Sequence, residues 1–169
     1  DEIPGNFDFP ITGVITATDQ PEIKVYEGVN PYGTEILDGD ITGYFIGQED
    51  RGMDATEQVT IFNNGSAPLV VSDITFSGAS FSANPTNFTV PVDGFQTIDI
   101  ILDGSTGGDF VETINILSND ADESTFDFPV NGIINGPELV VLDGTNYYSS
   151  PHIDNGDPDP LEIGTDRKS

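Results

Sequence analysis

The carboxylate side chains are the main candidates for chemistry in this sequence. The chain holds 30 Asp and Glu against 4 Lys and Arg, and its single histidine is His152. Carboxylate oxygens bind hard cations such as Ca²⁺, which takes about six to eight oxygen ligands. Acidic turns that converge in space would therefore form cation sites.

Two groups of acidic residues are candidates for such sites. The turn that holds Asp120, Asp122 and Glu123 should lie at the pole where the domain begins, close to Asp19 and Glu22. A second group should gather at the other pole and face Glu138 of the following unit: Asp38, Asp40, Asp50, Asp103 and Asp109. We therefore hypothesise calcium sites at the junctions between domains. The alternative interpretation is a set of solvated loops that repel one another.

The familiar cation-binding and catalytic motifs are missing. The segment 154–159 has the acids of a helix-loop-helix calcium loop but the wrong glycine position. Ser150, His152 and Asp154 alternate along one short segment, so their spacing alone cannot arrange a nucleophile, a base and an orienting acid. A carboxylate pair would need an apolar pocket to raise the pKa of one member, and nothing marks such a pocket. The sequence predicts a protein that is not an enzyme and requires no cofactor, with calcium as the one candidate ion.

The composition also disfavours two classes of partner. A formal net charge of −26 repels phosphate backbones and anionic lipids, so we expect no nucleic-acid binding and no binding to membrane surfaces. No apolar run is long enough to insert into a bilayer. With no cysteine, disulfides and thiolate metal sites are excluded.

The sequence contains two repeated motifs that divide the chain. Phe-Asp-Phe-Pro followed by aliphatic, polar, Gly and two aliphatic residues occurs at 7–15 and again at 126–134. A Pro-Glu-aliphatic motif occurs at 21–28 and again at 137–144. A period of about 115 to 120 residues is too long for a solenoid and fits one β-sandwich. We predict the last strand of a preceding unit at 1–18, a complete unit at 19–135 and the start of a following unit at 136–169.

Period-two alternation indicates β-strands through most of the complete unit. Ile98, Ile100 and Leu102 form one face of a strand, whereas the buried parity switches near 72–73, which predicts a bulge. The region 28–56 alternates poorly and is interpreted as a long decorated loop, with strand pieces at 36–37 and 44–46. Together with 19 Gly and 12 Pro, the pattern predicts an all-β, immunoglobulin-like β-sandwich of roughly seven strands.

Four motifs in order carry a family resemblance. They are Asn64-Gly65-Ser66-Ala67-Pro68-Leu69, Phe88-Thr89-Val90, Ser118-Asn119-Asp120-Ala121-Asp122-Glu123 and Phe126-Asp127-Phe128-Pro129-Val130-Asn131-Gly132. Together they resemble the choice-of-anchor D repeats of bacterial secreted and surface proteins, which are similar to Hydin-type and major-sperm-protein-type immunoglobulin-like domains. The resemblance implies a non-catalytic sandwich repeated in tandem, extracellular or at the cell surface, that acts as a spacer, adhesive or assembly module. The family's Phe-Gly strand is not evident around 43–47.

Two other functions stay open from the sequence. A carbohydrate- or surface-binding module would stack sugars on Tyr44, Phe45, Tyr147 and Tyr148. A filament subunit would donate the strand at 7–15 to the sheet of a neighbouring subunit. The corresponding partners are surface glycans in the first case and copies of the chain in the second, whereas a tandem spacer would contact neighbouring repeat units.

Overall fold

The structure, a computed structural model, describes residues 19–136 and two short strands beyond them, at 141–142 and 152–153. Within 19–136 every regular element is a β-strand. No helix in this described part of the chain is long and apolar enough to cross a membrane. The strands are β1 (Ile23–Glu27), β2 (Glu35–Ile36), β3 (Tyr44–Asp50), β4 (Ala55–Asn63), β5 (Leu69–Phe76), β6 (Phe81–Asn84), β7 (Phe88–Val90), β8 (Phe95–Leu102), β9 (Gly108–Ser118), β10 (Thr125–Asn135), β11 (Val141–Leu142) and β12 (His152–Ile153).

Ten of these strands form two five-stranded sheets around one core. The order is β2-β1-β4-β8-β6 in the first sheet and β3-β10-β9-β5-β7 in the second. Only β3 and β10 pair in parallel; the other neighbours are antiparallel. The predicted all-β sandwich is confirmed. It has more than seven strands because short pieces such as β2 and β7 complete its edges.

The core follows the alternation of the sequence. In β8, Ile98, Ile100 and Leu102 are fully buried, and the residues between them are only partly covered. In β10, Phe126 and Phe128 point into the same core, with their rings edge to face at 6.2 Å between centroids. Burying these aromatic and aliphatic side chains from both sheets supplies the main free energy that holds the sandwich together.

The predicted change of parity in the fifth strand is also confirmed. Leu69 and Val71 are buried, and the next buried position is Ile74. The pairing of β5 with β9 shifts register between Val71 and Asp73. A bulge of this kind inserts one residue and so turns the following side chains to the opposite face.

The interpretation of residues 28–56 as a long loop is wrong. β2 pairs with β1 through Ile36, and β3 pairs in parallel with β10, so the region supplies an edge to each sheet. The strand pieces expected at 36–37 and 44–46 correspond to β2, which ends at Ile36, and to the start of β3. β3 runs from Tyr44 to Asp50 and contains Phe45 and Gly47, so it covers the region around 43–47 in which no Phe-Gly strand was evident from the sequence. Because Ile46 is the only fully buried residue of β3, the strand shows no alternation.

The chain comes in and leaves at opposite ends of the sandwich. At the N-terminal pole, formed by residues 19–22, 64–68 and 119–124, Ser66 N–H donates to Gln20 O at 2.8 Å. At the C-terminal pole, formed by residues 51–54, 103–107 and 135–136, Arg51 N–H donates to Asn135 O at 3.1 Å. β10 runs between the poles over 11 residues, a length of roughly 33 Å.

The predicted division into three segments stays a prediction. Residues 1–18, with the first copy of the Phe-Asp-Phe-Pro motif, lie outside the described residues. Of 136–169, the structure describes Gly136 and the antiparallel pairing of β11 with β12, through Val141 with Ile153 and Leu142 with His152.

Candidate functional site

The N-terminal pole contains a buried carboxylate. Asp120 lies in the turn between β9 and β10 and is only 2% exposed. Its Oδ2 accepts the Ile23 N–H at 2.9 Å, so it fastens the start of β1 to the turn. Its backbone N–H donates to Ser118 Oγ at 3.0 Å. Its Oδ1 is buried and has no hydrogen-bond partner among the described residues.

Two further carboxylates converge on Asp120. One carboxylate oxygen from each of Glu22, Asp120 and Asp122 lies within 4.8 Å of the other two. Glu22 is partly buried and Asp122 is exposed, so the group opens to solvent on one side. The structure therefore brings together three of the predicted ligands, and it leaves the exposed Asp19 outside the group.

Glu123 lies beside the three carboxylates. Its Oε2 is buried without a hydrogen-bond partner in the described part of the chain. Desolvation by burial, followed by the charges of Glu22, Asp120 and Asp38, raises the pKa of the Glu123 carboxyl above its usual value. Lys24 opposes this effect, but its ammonium is shared between Glu22 at 3.8 Å and Glu35 at 3.3 Å. Negative charge therefore exceeds positive charge at this pole.

Two asparagines, which the sequence alone shows only as turn residues, hold the pole in place. The Asn63 side chain is buried and accepts from the Gly65 and Glu22 N–H groups while it donates to Ala67 and Val90 carbonyls. Asn119 Oδ1 accepts the Val70 N–H at 2.7 Å. These bonds fix the turns from which the carboxylates project. The signal available in the sequence was their place in turn clusters, where asparagine often bonds to nearby backbone.

The structure corrects the predicted position of Asp38 and Asp40. Asp38 Oδ1 accepts the Asp127 N–H at 2.8 Å, near the start of β10. The negative charge of Asp38 contributes to the raised pKa of Glu123 at the N-terminal pole. Asp40 is engaged within its own loop, where Thr42 N–H and Oγ1 both donate to it at 2.9 Å and lower its pKa. Neither residue lies with the acids of the C-terminal pole, because the link between β2 and β3 follows β10 instead of ending at that pole.

Near the C-terminal pole lie Asp50, Asp103 and Asp109 of the second predicted group, and among the described residues they form no cluster of converging carboxylates. Asp50 Oδ1 accepts from Asn135 Nδ2 at 3.0 Å. Asp103 accepts the Ser105 N–H at 2.7 Å, which lowers its pKa. Asp109 is an exposed residue near the start of β9. Glu138 lies outside the described residues.

The residues of the rejected catalytic triad are described only in part. His152 is in β12, and Ser150 and Asp154 lie outside the described residues. The prediction that these three residues form no triad therefore stays a prediction.

The aromatic residues of the carbohydrate-binding alternative separate into different surroundings. The Tyr44 hydroxyl donates to Gln58 O at 3.0 Å, and its ring packs against the core. Phe45 points outward and is 51% exposed. Tyr147 and Tyr148 lie outside the described residues. Tyr44 is thus a structural residue, which leaves Phe45 as the one described aromatic available for stacking in this alternative.

We expect Tyr44 to ionise late in an alkaline titration. Burial, and then the charges of Glu57 and Glu27, raises the pKa of Tyr44 to about 12. Because the folded state favours the neutral phenol, this contribution to stability is complete below pH ~10 and is lost as the pH rises through 12. In rapid pH jumps followed by ultraviolet absorbance, the wild-type protein should show an ionisation near pH 12 that Tyr44→Phe lacks. The same absorbance change near pH 12 in both proteins would contradict this assignment.

Comparison with known proteins identifies similarity at the level of the domain. The sequence model of a domain family described as HYDIN/CFA65/VesB-like, Ig-like domain matches residues 36–131, which is more than half of the chain. No curated protein matches the chain.

Among solved structures, the ASH/PapD-like domain 7 of human CEP192 is 11% identical, with 80% of this chain and all of that domain covered and a TM-score of 0.53. A Porphyromonas gingivalis W83 protein of unknown function is 14% identical, with coverages of 70% and 69% and a TM-score of 0.47. A family 123 glycoside hydrolase from Clostridium perfringens is 10% identical, with coverages of 57% and 24% and a TM-score of 0.44. At these identities the similarity concerns the fold alone.

Proposed function

The chain belongs to the HYDIN/CFA65/VesB-like, Ig-like domain family, and from this premise we propose that it is a non-catalytic structural module that holds its two flanking segments apart and transmits tension between them. The position of the two attachment points is the main support for this role. Ile23 starts β1 at the N-terminal pole, whereas Asn135 ends β10 at the C-terminal pole. A module joined at opposite ends adds its full length to a chain of such modules.

The pairing of β1 and β10 with their neighbouring strands suits this role. β1 pairs with β4 over five residue pairs, and β10 pairs with β9 over ten. Tension applied to the start of β1 and the end of β10 acts along both strands. Because ladder hydrogen bonds run perpendicular to the strands, such tension loads many of them at once in shear. Unfolding then requires a whole ladder to fail together.

The repeated motifs support a tandem arrangement. β10 carries the second copy of the Phe-Asp-Phe-Pro motif, and Phe126 and Phe128 of that copy are core residues. The same residue types at Phe7 and Phe9 are those that a preceding sandwich would need in its last strand. The partners in this arrangement are neighbouring repeat units or further copies of the chain.

We place the module outside the cell or on its surface as part of the same proposal. The ordered motifs that resemble the choice-of-anchor D repeats support this location, and so does an acidic, cysteine-free composition that needs no reducing compartment. Protease treatment of intact cells of the source organism should remove the protein if the proposed location is right. Complete protection in intact cells, with cleavage after lysis, would overturn it.

Single-molecule force measurements test the mechanical role. Since the chain has no cysteine, the substitutions Asp19→Cys and Gly136→Cys provide unique handles at the two poles. A side chain added at Gly136 meets no atom within 4 Å. We expect one cooperative rupture at high force when the two handles are pulled apart.

A second pulling direction serves as the matched control. Handles at Asp19 and Asn64 lie at the same pole, next to the paired residues Ile23 and Asn63, so force would separate β1 from β4 one bond at a time. This geometry should rupture at a clearly lower force. Equal rupture forces in both geometries would contradict a module built to bear tension along its length.

A further inference from the structure

The Asp120 carboxylate lacks a compensating partner among the residues that the structure describes. Only one of its two oxygens accepts a hydrogen bond, from Ile23 N–H, and the other is buried with none from the described residues. An unsatisfied buried acceptor is unfavourable, and more so when it is charged. The nearby carboxylates of Glu22 and Asp122 add repulsion instead of relief. A group with this combination of burial and charge is suited to a cation.

The spacing of the three carboxylates fits one ion. Two oxygens bound to the same Ca²⁺ at about 2.4 Å can be at most ~4.8 Å apart. One carboxylate oxygen from each of Glu22, Asp120 and Asp122 lies within 4.8 Å of the other two. Mg²⁺ requires a near-ideal octahedron, gives up its waters reluctantly and is usually held by only one or two carboxylates, so a group of three carboxylates suits it less well. The exposed side of the group leaves room for water to complete the coordination.

We propose that Glu22, Asp120 and Asp122 bind one calcium ion at the N-terminal pole. The ligands come from two parts of the chain that are far apart in sequence. Glu22 directly precedes β1, and the two aspartates lie in the turn between β9 and β10. The ion would therefore clamp the incoming segment to the body of the domain. This inference does not depend on the proposed mechanical function.

The surrounding hydrogen bonds hold the ligands ready for the ion. Asn63 Oδ1 accepts the Glu22 N–H at 3.3 Å, and Ser118 Oγ accepts the Asp120 N–H at 3.0 Å. Glu22 O also accepts the Asn64 N–H at 2.9 Å. Both ligand-bearing segments are thus fixed by bonds that do not involve the carboxylates. Preorganisation of this kind reduces the entropy that binding must overcome.

Calcium titration of the full chain, freed of metal by a chelator and kept in 0.15 M KCl, tests the site. The salt screens diffuse attraction between the cation and the acidic surface. We expect one saturable site by calorimetry and a melting temperature raised by roughly 5–10 °C at 10 mM CaCl₂. MgCl₂ at the same concentration should have a smaller effect. An equal effect of both ions would overturn the assignment to calcium.

Two variants with the same change of charge distinguish calcium binding at this site from nonspecific attraction of calcium to the acidic surface. Asp122→Asn removes an exposed ligand, and its affinity for calcium should fall by roughly tenfold or more. Asp109→Asn makes the same change at the C-terminal pole and should bind calcium as the wild type does. Equal losses in the two variants, or no saturable binding to the wild type, would overturn the proposal.

The variant Asp120→Asn tests the role of the buried carboxylate through the melting temperature, which should rise in the absence of calcium. The asparagine keeps an oxygen for the Ile23 N–H, places an amide donor where the unpartnered oxygen was, and removes one negative charge from a group of three carboxylates. Without calcium, this variant should therefore melt at a higher temperature than the wild type. It should also lose the calcium-dependent rise. A variant that melts lower without calcium and still responds to it would contradict the role given to Asp120.

Discussion

Replacing Phe128 with alanine is expected to lower the free energy of unfolding by about 3–5 kcal/mol. Phe128 is 1% exposed in the middle of β10, and its ring meets that of Phe126 edge to face. Removal of the ring leaves a cavity between the two sheets that the rigid strands cannot fill. A small domain has only about 5–15 kcal/mol of stability, so this loss takes a large part of it. Urea denaturation followed by circular dichroism measures the change.

The control for Phe128 is Phe95→Ala. Phe95 is the same residue type in a strand of the other sheet, but its side chain is 52% exposed. Its replacement should cost only about 1 kcal/mol, since about half of its surface is already exposed and no closed cavity forms in the core. If the two alanine variants were equally stable, the motif that repeats at 126–134 would not be a core motif.

Replacing Asn63 with alanine should lower the free energy of unfolding by about 2–4 kcal/mol. The Asn63 side chain is fully buried and makes four hydrogen bonds to backbone groups of three chain segments. Alanine leaves these donors and acceptors without partners, and buried unsatisfied groups are costly. Chemical denaturation again provides the measurement.

The neighbouring Asn64 provides a matched control within the same turn. Asn64 is exposed, and the hydrogen bond it makes at this pole, to Glu22 O, uses its backbone N–H. Asn64→Ala should therefore change the free energy of unfolding by less than about 0.5 kcal/mol. A stability of Asn63→Ala within 1 kcal/mol of that of Asn64→Ala, roughly the value of one ordinary hydrogen bond, would refute the role of the buried side chain.

The central strands could be predicted from the sequence because each buries one complete face. The alternation of Ile98, Ile100 and Leu102 gives both the strand and its inward side. The bulge in β5 was predictable for the same reason, since the buried parity changes once and at one place. Where one face of a strand is fully covered, a period of two must appear in the sequence.

The edges were harder to predict because an edge strand buries few side chains. β2 is two residues long and β3 buries only Ile46, so neither produces a pattern. Their positions depend on pairing with β1 and β10, which are distant in sequence. The position of Asp38 was wrong for this reason, because the path of the chain between β2 and β3 decides which pole that residue approaches.

The cluster of carboxylates at the N-terminal pole could be predicted in part from the sequence. Glu22 precedes β1 and Asp120 precedes β10, and a sandwich with this topology brings both to one pole. The sequence could not show that Asp120 is buried while Asp122 is exposed. That difference arises from the hydrogen bond of Asp120 to Ile23, which is a product of the tertiary fold.

The two attachment points lie at opposite ends of the domain, and a distance between spin labels tests this arrangement most directly. Asp19→Cys and Gly136→Cys place the labels at exposed positions of a chain that has no other cysteine. Since β10 alone spans roughly 33 Å between the poles, the distance distribution should centre above ~30 Å. A narrow distribution centred below ~20 Å would place both attachment points at one end and contradict the spacer function.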